Sequence, residues 1–340
     1  MEPTRTDGSV GAAAVSVLVA PDSFKGSFSA AAVAKAIAAG AEAAGAVVDR
    51  CPLADGGEGT AAALLAAESG RVVSAPAHDP LGRQIQAGFA LIGDGGTAVV
   101  EVAAASGLAL VVADERDAEA ASSRGTGELI LAATRAGARR VLIGAGGSAT
   151  TDGGVGCVAA IEAGGGVGGA ELIVLCDVTV PWERAAAVFA PQKGASPEAV
   201  ERLGARLEAL AETLPRDPRG VPRTGAAGGL SGGLWATYGA RLFSGAAWMI
   251  DALEVERRAA AADLLITGEG RLDAQSGEGK LIGELMARTG RPGLTRIAAV
   301  GRNDLSESEW RRLGLDRVFE AGDLESLRGV GASAVSSIDR

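Results

Sequence analysis

Along the chain, short continuous apolar runs give way to glycine-rich polar loops and then to alanine-rich stretches. VSVLVA leads into PDSFKGS and a helix expected from about Ser29 to Gly40. VVDRCPLA leads into DGGEGT and AAALLAAESG, and RRVLIGA into GGSATTDGG and VGCVAAIEAG. ADLLITG leads into EGRLDAQSGEGK and LIGELMARTG, and TRIAAVG into RNDLSESEW, where Ser306 reads as an N-cap with a glutamate nearby. Unbroken apolar strands alternating with helices predict a parallel sheet in an α/β fold. Loops at the carboxyl ends of such strands gather along one edge, where ligands bind.

Two stretches read differently. Residues 71–120 look like short strands around turns, with GDGG as a hairpin signal, and residues 171–250 mix the strand ELIVLCDV with helices and further glycine loops. The pattern therefore predicts two α/β domains. One is a parallel-sheet domain of residues 14–70, 121–157 and 258–340. The other, residues 71–120 and 158–257, is a smaller α/β domain inserted in it, with a cleft between the two. LPRDPRGVPRTG reads as a mobile loop.

Composition narrows the partners. A net charge of −10, a pI near 4.9 and 3% aromatic residues argue against nucleic acid and against an anionic membrane. Cys51, Cys157 and Cys176 form no CxxC pair, which fits a reducing cytoplasm rather than a disulfide framework or a zinc site. No apolar run approaches the ~18 residues of a membrane span. The first residues, with Glu2, Arg5 and Asp7, do not read as an export signal. Only four of the 32 basic residues are lysines, and Lys25, Lys193 and Lys280 each adjoin a glycine. A compact ammonium on a flexible stem suits a phosphate approached end-on.

The loops carry the candidate chemistry. PDSFKGS offers Asp22, Ser23, Lys25 and Gly26. ADGGEGT places Asp55 and Glu58 among small neighbours, where they would hold Mg²⁺ or supply a general base, or else form an acidic helix start. GAGGSATTDGG contains a weak dinucleotide fingerprint, so a dehydrogenase acting on a small hydroxy acid is an alternative. Its run of Gly147, Ser148, Thr150, Thr151 and Asp152 suits phosphate or hydroxy-acid binding better, and the acid expected downstream falls only on Glu162, at a helix end. TGEGRLDAQSGEGK offers Glu269, Arg271, Asp273 and Lys280, with Arg271 able to clamp a carboxylate. Ala274 and Leu281 exclude a Walker A loop. Asp177 reads equally as ligand or helix cap, and His78, in HDPLGR with Arg83, reads as structural.

Taken in order, APDSFKGSFSA, PLADGGEGT, HDPLGR, SSRGTGELI, GGSATTDGG, CDV, PQKGAS, GAAGGL and ITGEGRLDAQSGEGK resemble the glycerate kinase type-1 family over most of the chain. The resemblance implies ATP-dependent phosphorylation of D-glycerate to 2- or 3-phosphoglycerate, with ATP and Mg²⁺ at an active-site cleft between two α/β domains, one of them Rossmann-like and discontinuous. A non-catalytic metabolite-binding relative is a further alternative, and a homodimer is left open. On this reading Lys25, Asp55, Asp177 and Arg271 are catalytic. Asp22, Ser23, Gly26, Arg83, Gly147, Ser148, Thr150, Thr151, Lys193, Glu269 and Lys280 bind substrate or nucleotide, while Asp55, Glu58 and Asp273 meet the metal. Lys25 and Lys280 would meet phosphates, and Arg271 the glycerate carboxylate. The sequence departs from the family pattern at Val180, Pro181, Trp182 and Glu183, in a short segment before Leu172, and after VFEAGDLESL.

Overall fold

The structure, a computed structural model, describes residues 14–277 and 280–338. Most of the N-terminal stretch read for an export signal, and Glu278 and Gly279 of the SGEGK motif, lie outside the described residues.

The strands form two sheets. The first has five parallel strands in the order β11-β10-β9-β1-β2. They are β1 (Ser16–Val19), β2 (Val47–Arg50), β9 (Leu264–Leu272), β10 (Thr295–Asn303) and β11 (Arg317–Glu320). The second has six strands in chain order: β3 (Gly70–His78), β4 (Gln84–Ile92), β5 (Thr97–Glu101), β6 (Arg140–Gly144), β7 (Glu171–Leu175) and β8 (Arg241–Phe243). β3, β4 and β5 run antiparallel through the expected GDGG hairpin, and β5 to β8 run parallel.

Two expectations change. Residues 121–157 do not complete the first sheet, because β6 pairs with β5 and β7. The hairpin leaves β5 as an open parallel edge, and the helix Arg124–Arg135 carries the chain back onto it. The inserted layer is also not the smaller one, with six strands against five.

Three cores hold the layers. Helices Ala30–Ala43 and Leu324–Ser336 cover the outer face of the first sheet over Val17, Val19, Ile266 and Ile297. The inner faces of both sheets share one core, in which Leu18, Leu265, Leu142 and Leu175 meet Met249 and Ile250 from the helix Gly245–Ala252. The far face of the second sheet packs under Leu129, Ile130, Cys157 and Leu234. Trp182, at one of the departures from the family pattern, is fully buried and donates from Nε1 to the Leu207 carbonyl at 2.9 Å. The segment read as a mobile loop folds back beside it: the Thr224 hydroxyl, itself buried, donates to the Pro218 carbonyl at 2.9 Å and accepts from the Trp182 amide.

Candidate functional site

The strand order sets the site. From β1 the first sheet grows one way to β2, and from β9 the other way through β10 to β11. The loops after β1 and β9 therefore diverge, and a crevice opens beyond their carboxyl ends. Backbone pairing continues past β1, with Ala20 N donating to Ile266 O and Asp22 N to Gly268 O, both at 2.8 Å, so Asp22 is delivered to the crevice floor.

Lys25 reaches across this crevice. Its Nζ lies 2.8 Å from Asp55 Oδ2, while Asp55 Oδ1 accepts from the Gly57 amide at 3.0 Å. The DGG loop comes this close because Gly56, at φ +84°, has no side chain. A Cβ there would lie 2.6 Å from the Gly245 Cα.

Two cavities meet at this ion pair. One, about 470 Å³, is lined by Asp22, Glu269, Arg271, Asp273, Lys280 and Arg302 at the ends of β1, β9 and β10. The other, about 480 Å³, is walled by Phe24, Phe28, Pro52, Leu53, Gly146 and Gly147, with Gly26 and Glu58 also at its surface. Ser23, Phe24, Lys25, Ser27 and Asp55 line both.

The carboxylates crowd one another. Burial, then the charge of Asp55, pushes Asp22 up to about 7. Burial likewise pushes Asp177 up to about 7, with Asp55 and Asp22 adding to it. For Lys25, burial draws the ammonium down but is outweighed by Asp55, Asp22 and Asp177, and the net direction is upward. Glu269 is raised, chiefly by burial.

The remaining candidates separate. Asp177 lines neither cavity and caps the helix Gly245–Ala252, with Oδ1 accepting from the Ala246 amide at 2.9 Å. Its buried Oδ2 and Glu269 Oε1 have no hydrogen-bond partner. Arg271 pairs through Nε with Asp304, which also holds Arg302. Lys280 donates to Gln275 at 3.2 Å. Arg83, expected to bind ligand, instead pairs with Asp79 in its own turn and with Glu115 from the segment Ala113–Glu115, outside both cavities. The expected metal set is split, with Glu58 in one cavity, Asp273 in the other and Asp55 between. Among the described residues no three carboxylate, thiol or imidazole side chains converge on a metal position.

The loop after β6 turns inward. Ser148, Thr150 and Thr151 are buried and line neither cavity, so only the front of this loop, Gly146 and Gly147, faces the cleft. Lys193 lies behind it, 2% exposed, and burial pulls its amine down to about 7 against the charge of Asp152. Asp152 accepts from the Gly154 and Gly156 amides, so the helix Val155–Ala163 carries its own anion at its N-terminus. A dinucleotide pyrophosphate would need that place, and the dehydrogenase reading falls with it.

Sequence reasoning missed three groups. Arg302, the penultimate residue of β10, follows the apolar run TRIAAVG and was legible in position. Phe24 and Phe28, the aromatic wall, left no periodic signal. Glu101, whose Oε1 accepts from the Gly59 and Ala61 amides at 3.0 and 2.9 Å, ties the second sheet to the helix Thr60–Ala67.

Fold and site together define a two-sheet α/β enzyme with a charged cleft at a topological switch point. The model of the glycerate kinase family matches residues 17–166 and 164–327. The chain is 42% identical over 302 residues to the glycerate 2-kinase of Escherichia coli K12, covering 78% of this chain and 79% of that one. To the glycerate kinase of Bacillus subtilis it is 41% identical over 302 residues, with the same coverage. A crystal structure of a candidate glycerate kinase 2 from Salmonella typhimurium LT2 superposes with a TM-score of 0.80 at 36% identity, over 96% of this chain and 98% of that one. The chain belongs to the glycerate kinase family.

Proposed function

We propose that the protein transfers the γ-phosphoryl group of ATP to a hydroxyl of D-glycerate. The observation that carries this reading is the meeting of two cavities of unlike character at one lysine–carboxylate pair. A two-substrate transfer needs one such seam, with a cation where charge passes between the partners.

The apolar cavity, with Phe24, Phe28, Pro52 and Leu53 on its walls, suits the adenine base. The polar cavity supplies Arg271 and Arg302, which match a small carboxylate. The nucleotide's phosphates then point at Lys25 from one side and the glycerate hydroxyl approaches from the other. Asp22, held near neutrality by burial, takes the hydroxyl proton as the oxygen–phosphorus bond forms and the bond to the β-phosphate breaks. Lys25 offsets charge on the migrating group.

Mg²⁺ fits the donors present. Asp55 stands at the seam of the two cavities, with Glu58 on the apolar side and Glu269, whose buried Oε1 has no donor, on the polar side. One or two carboxylates together with substrate phosphates are its usual ligands, and when bound it neutralises phosphate charge. The E. coli relative is named a 2-kinase, and we assign the same hydroxyl here, giving 2-phosphoglycerate. No helix among the described residues is long and apolar enough to cross a membrane; a cytoplasmic setting rests on the three buried free cysteines.

The test is phosphorus NMR of the protein with ATP, Mg²⁺ and D-glycerate. A new phosphomonoester coupled to the C2 proton is expected. Absence of ADP formation with every hydroxy acid tested would overturn the kinase assignment, and coupling to C3 protons would overturn the regiochemistry alone.

A further inference from the structure

Lys193 is the one lysine of the chain placed deep inside it. It ends the short turn Pro191–Lys193 and donates from Nζ to Ser148 Oγ at 3.0 Å and to the Thr150 carbonyl. Both acceptors belong to the loop after β6, on the side away from the cleft. The same loop presents Gly146 and Gly147 to the apolar cavity.

Other ties converge on it. Leu108 N donates to Gly147 O at 2.8 Å, Ala149 N to Ser106 O at 2.9 Å, and Arg206 Nη2 to Thr151 O at 3.1 Å. Gly228 packs so closely that a Cβ there would lie 1.9 Å from Thr150 O. A loop that needed only to be filled from behind would be served by an apolar side chain, since burying an amine carries a desolvation cost. A polar anchor that reaches two points of the loop instead fixes its path.

We propose that Lys193 is a positioning residue: from behind the cleft its amine holds the loop after β6 so that Gly146 and Gly147 form the wall of the apolar cavity. The proposal rests on reading that cavity as the nucleotide subsite. Lys193 touches neither substrate and acts through Ser148 and Thr150.

The experiment compares wild type, Lys193→Met, Ser148→Ala and the double variant. The readouts are thermal melting, the Michaelis constants for ATP and for D-glycerate, and hydrogen exchange of residues 145–154. Lys193→Met keeps the methylene stem and removes the buried amine but leaves the Thr150 carbonyl without its donor, so it is expected to fold with a modestly lowered melting temperature. Its kcat/KM for ATP should fall on the order of 10²-fold, as for a subsite wall displaced by an ångström, while KM for glycerate stays put. Ser148→Ala should act in the same direction more weakly. The double variant should be little worse than Lys193→Met, because the two substitutions break one contact. Amides of residues 145–154 should exchange faster.

Wild-type ATP kinetics and unchanged exchange in a folded Lys193→Met protein would overturn the proposal. So would equal losses for both substrates alongside a large drop in melting temperature, which is the mark of a structural role only. If Lys193→Met does not fold, Ser148→Ala carries the same test: an ATP-selective loss supports the proposal and wild-type kinetics overturn it. Should the wild type show no turnover of ATP, the kinase reading fails, and hydrogen exchange alone still decides the positioning of the loop.

Discussion

Two glycine loops at the ends of parallel strands, PDSFKGS after β1 and GAGGSATTDGG after β6, look alike in sequence and are used in opposite ways. The first turns its polar groups toward a crevice: Lys25 reaches across it, and Asp22, itself buried, lines the polar cavity. The second turns its hydroxyls inward. Asp152 satisfies the following helix, Lys193 satisfies the loop's back, and only two glycines reach the cleft. The difference lies in topology. β1 sits where the first sheet reverses its direction of growth, so its neighbouring loops part; β6 sits inside a run that grows one way only, so its loop is covered. A polar glycine loop is a ligand loop where the strand order leaves it uncovered.

The largest expected effect that would break this comparison is on Asp22. Asp22→Asn should lower kcat by about 10²–10⁴-fold, the usual worth of a general base. In the wild type, kcat/KM should rise with pH through about 7 as Asp22 loses its proton, and this limb should vanish in the variant. A variant that keeps the limb assigns the base elsewhere, with Asp177, pushed up to about 7 as well, the next group to replace.

The division between the cavities is sharpened by a pair of substitutions. Arg271→Ala should raise KM for glycerate by about 10- to 100-fold, the range of a charge-assisted hydrogen bond, and leave KM for ATP unchanged. Phe28→Ala should do the reverse, by roughly 10-fold, as expected for one lost stacking wall. Reversed selectivity in the two variants would exchange the subsites.

Smaller effects concern polar groups that the fold covers. Asp177→Asn bears on stability. A folded-state pKa raised to about 7 gives stability that is full below the ordinary carboxylate range and lost as pH rises through 7. The variant should therefore gain melting temperature relative to wild type at pH 8 and lose that advantage near pH 4. Thr151→Val should be the mildest. Its hydroxyl is buried without a partner, so the isosteric change is expected to be neutral or stabilising by up to about 1 kcal/mol, with unaltered kinetics. A loss of activity there would make the second loop a ligand loop after all.

Much of the first sheet was legible. Continuous apolar runs marked β1, β9 and β10, and Ser306 with Glu309 forms the expected capping box. The membership of β6 was not legible, because an apolar run says that a strand is buried and not which strand it pairs with; the β4–β5 hairpin decided that. Among candidate residues, those beside β1, β2 and β9 came together, since a strand-end position also fixes where a side chain goes. Lys193 and Arg83 did not join them. A glycine neighbour is shared by ligand-binding and buried lysines, and an arginine two residues past a proline turn pairs with the nearest acid first.

The most direct test of the account is single-turnover phosphoryl transfer by Lys25→Ala at saturating ATP and D-glycerate. If transfer passes across the Lys25–Asp55 seam, its rate constant falls by about 10²–10³-fold while both substrates still bind. A rate within a few-fold of wild type would contradict it.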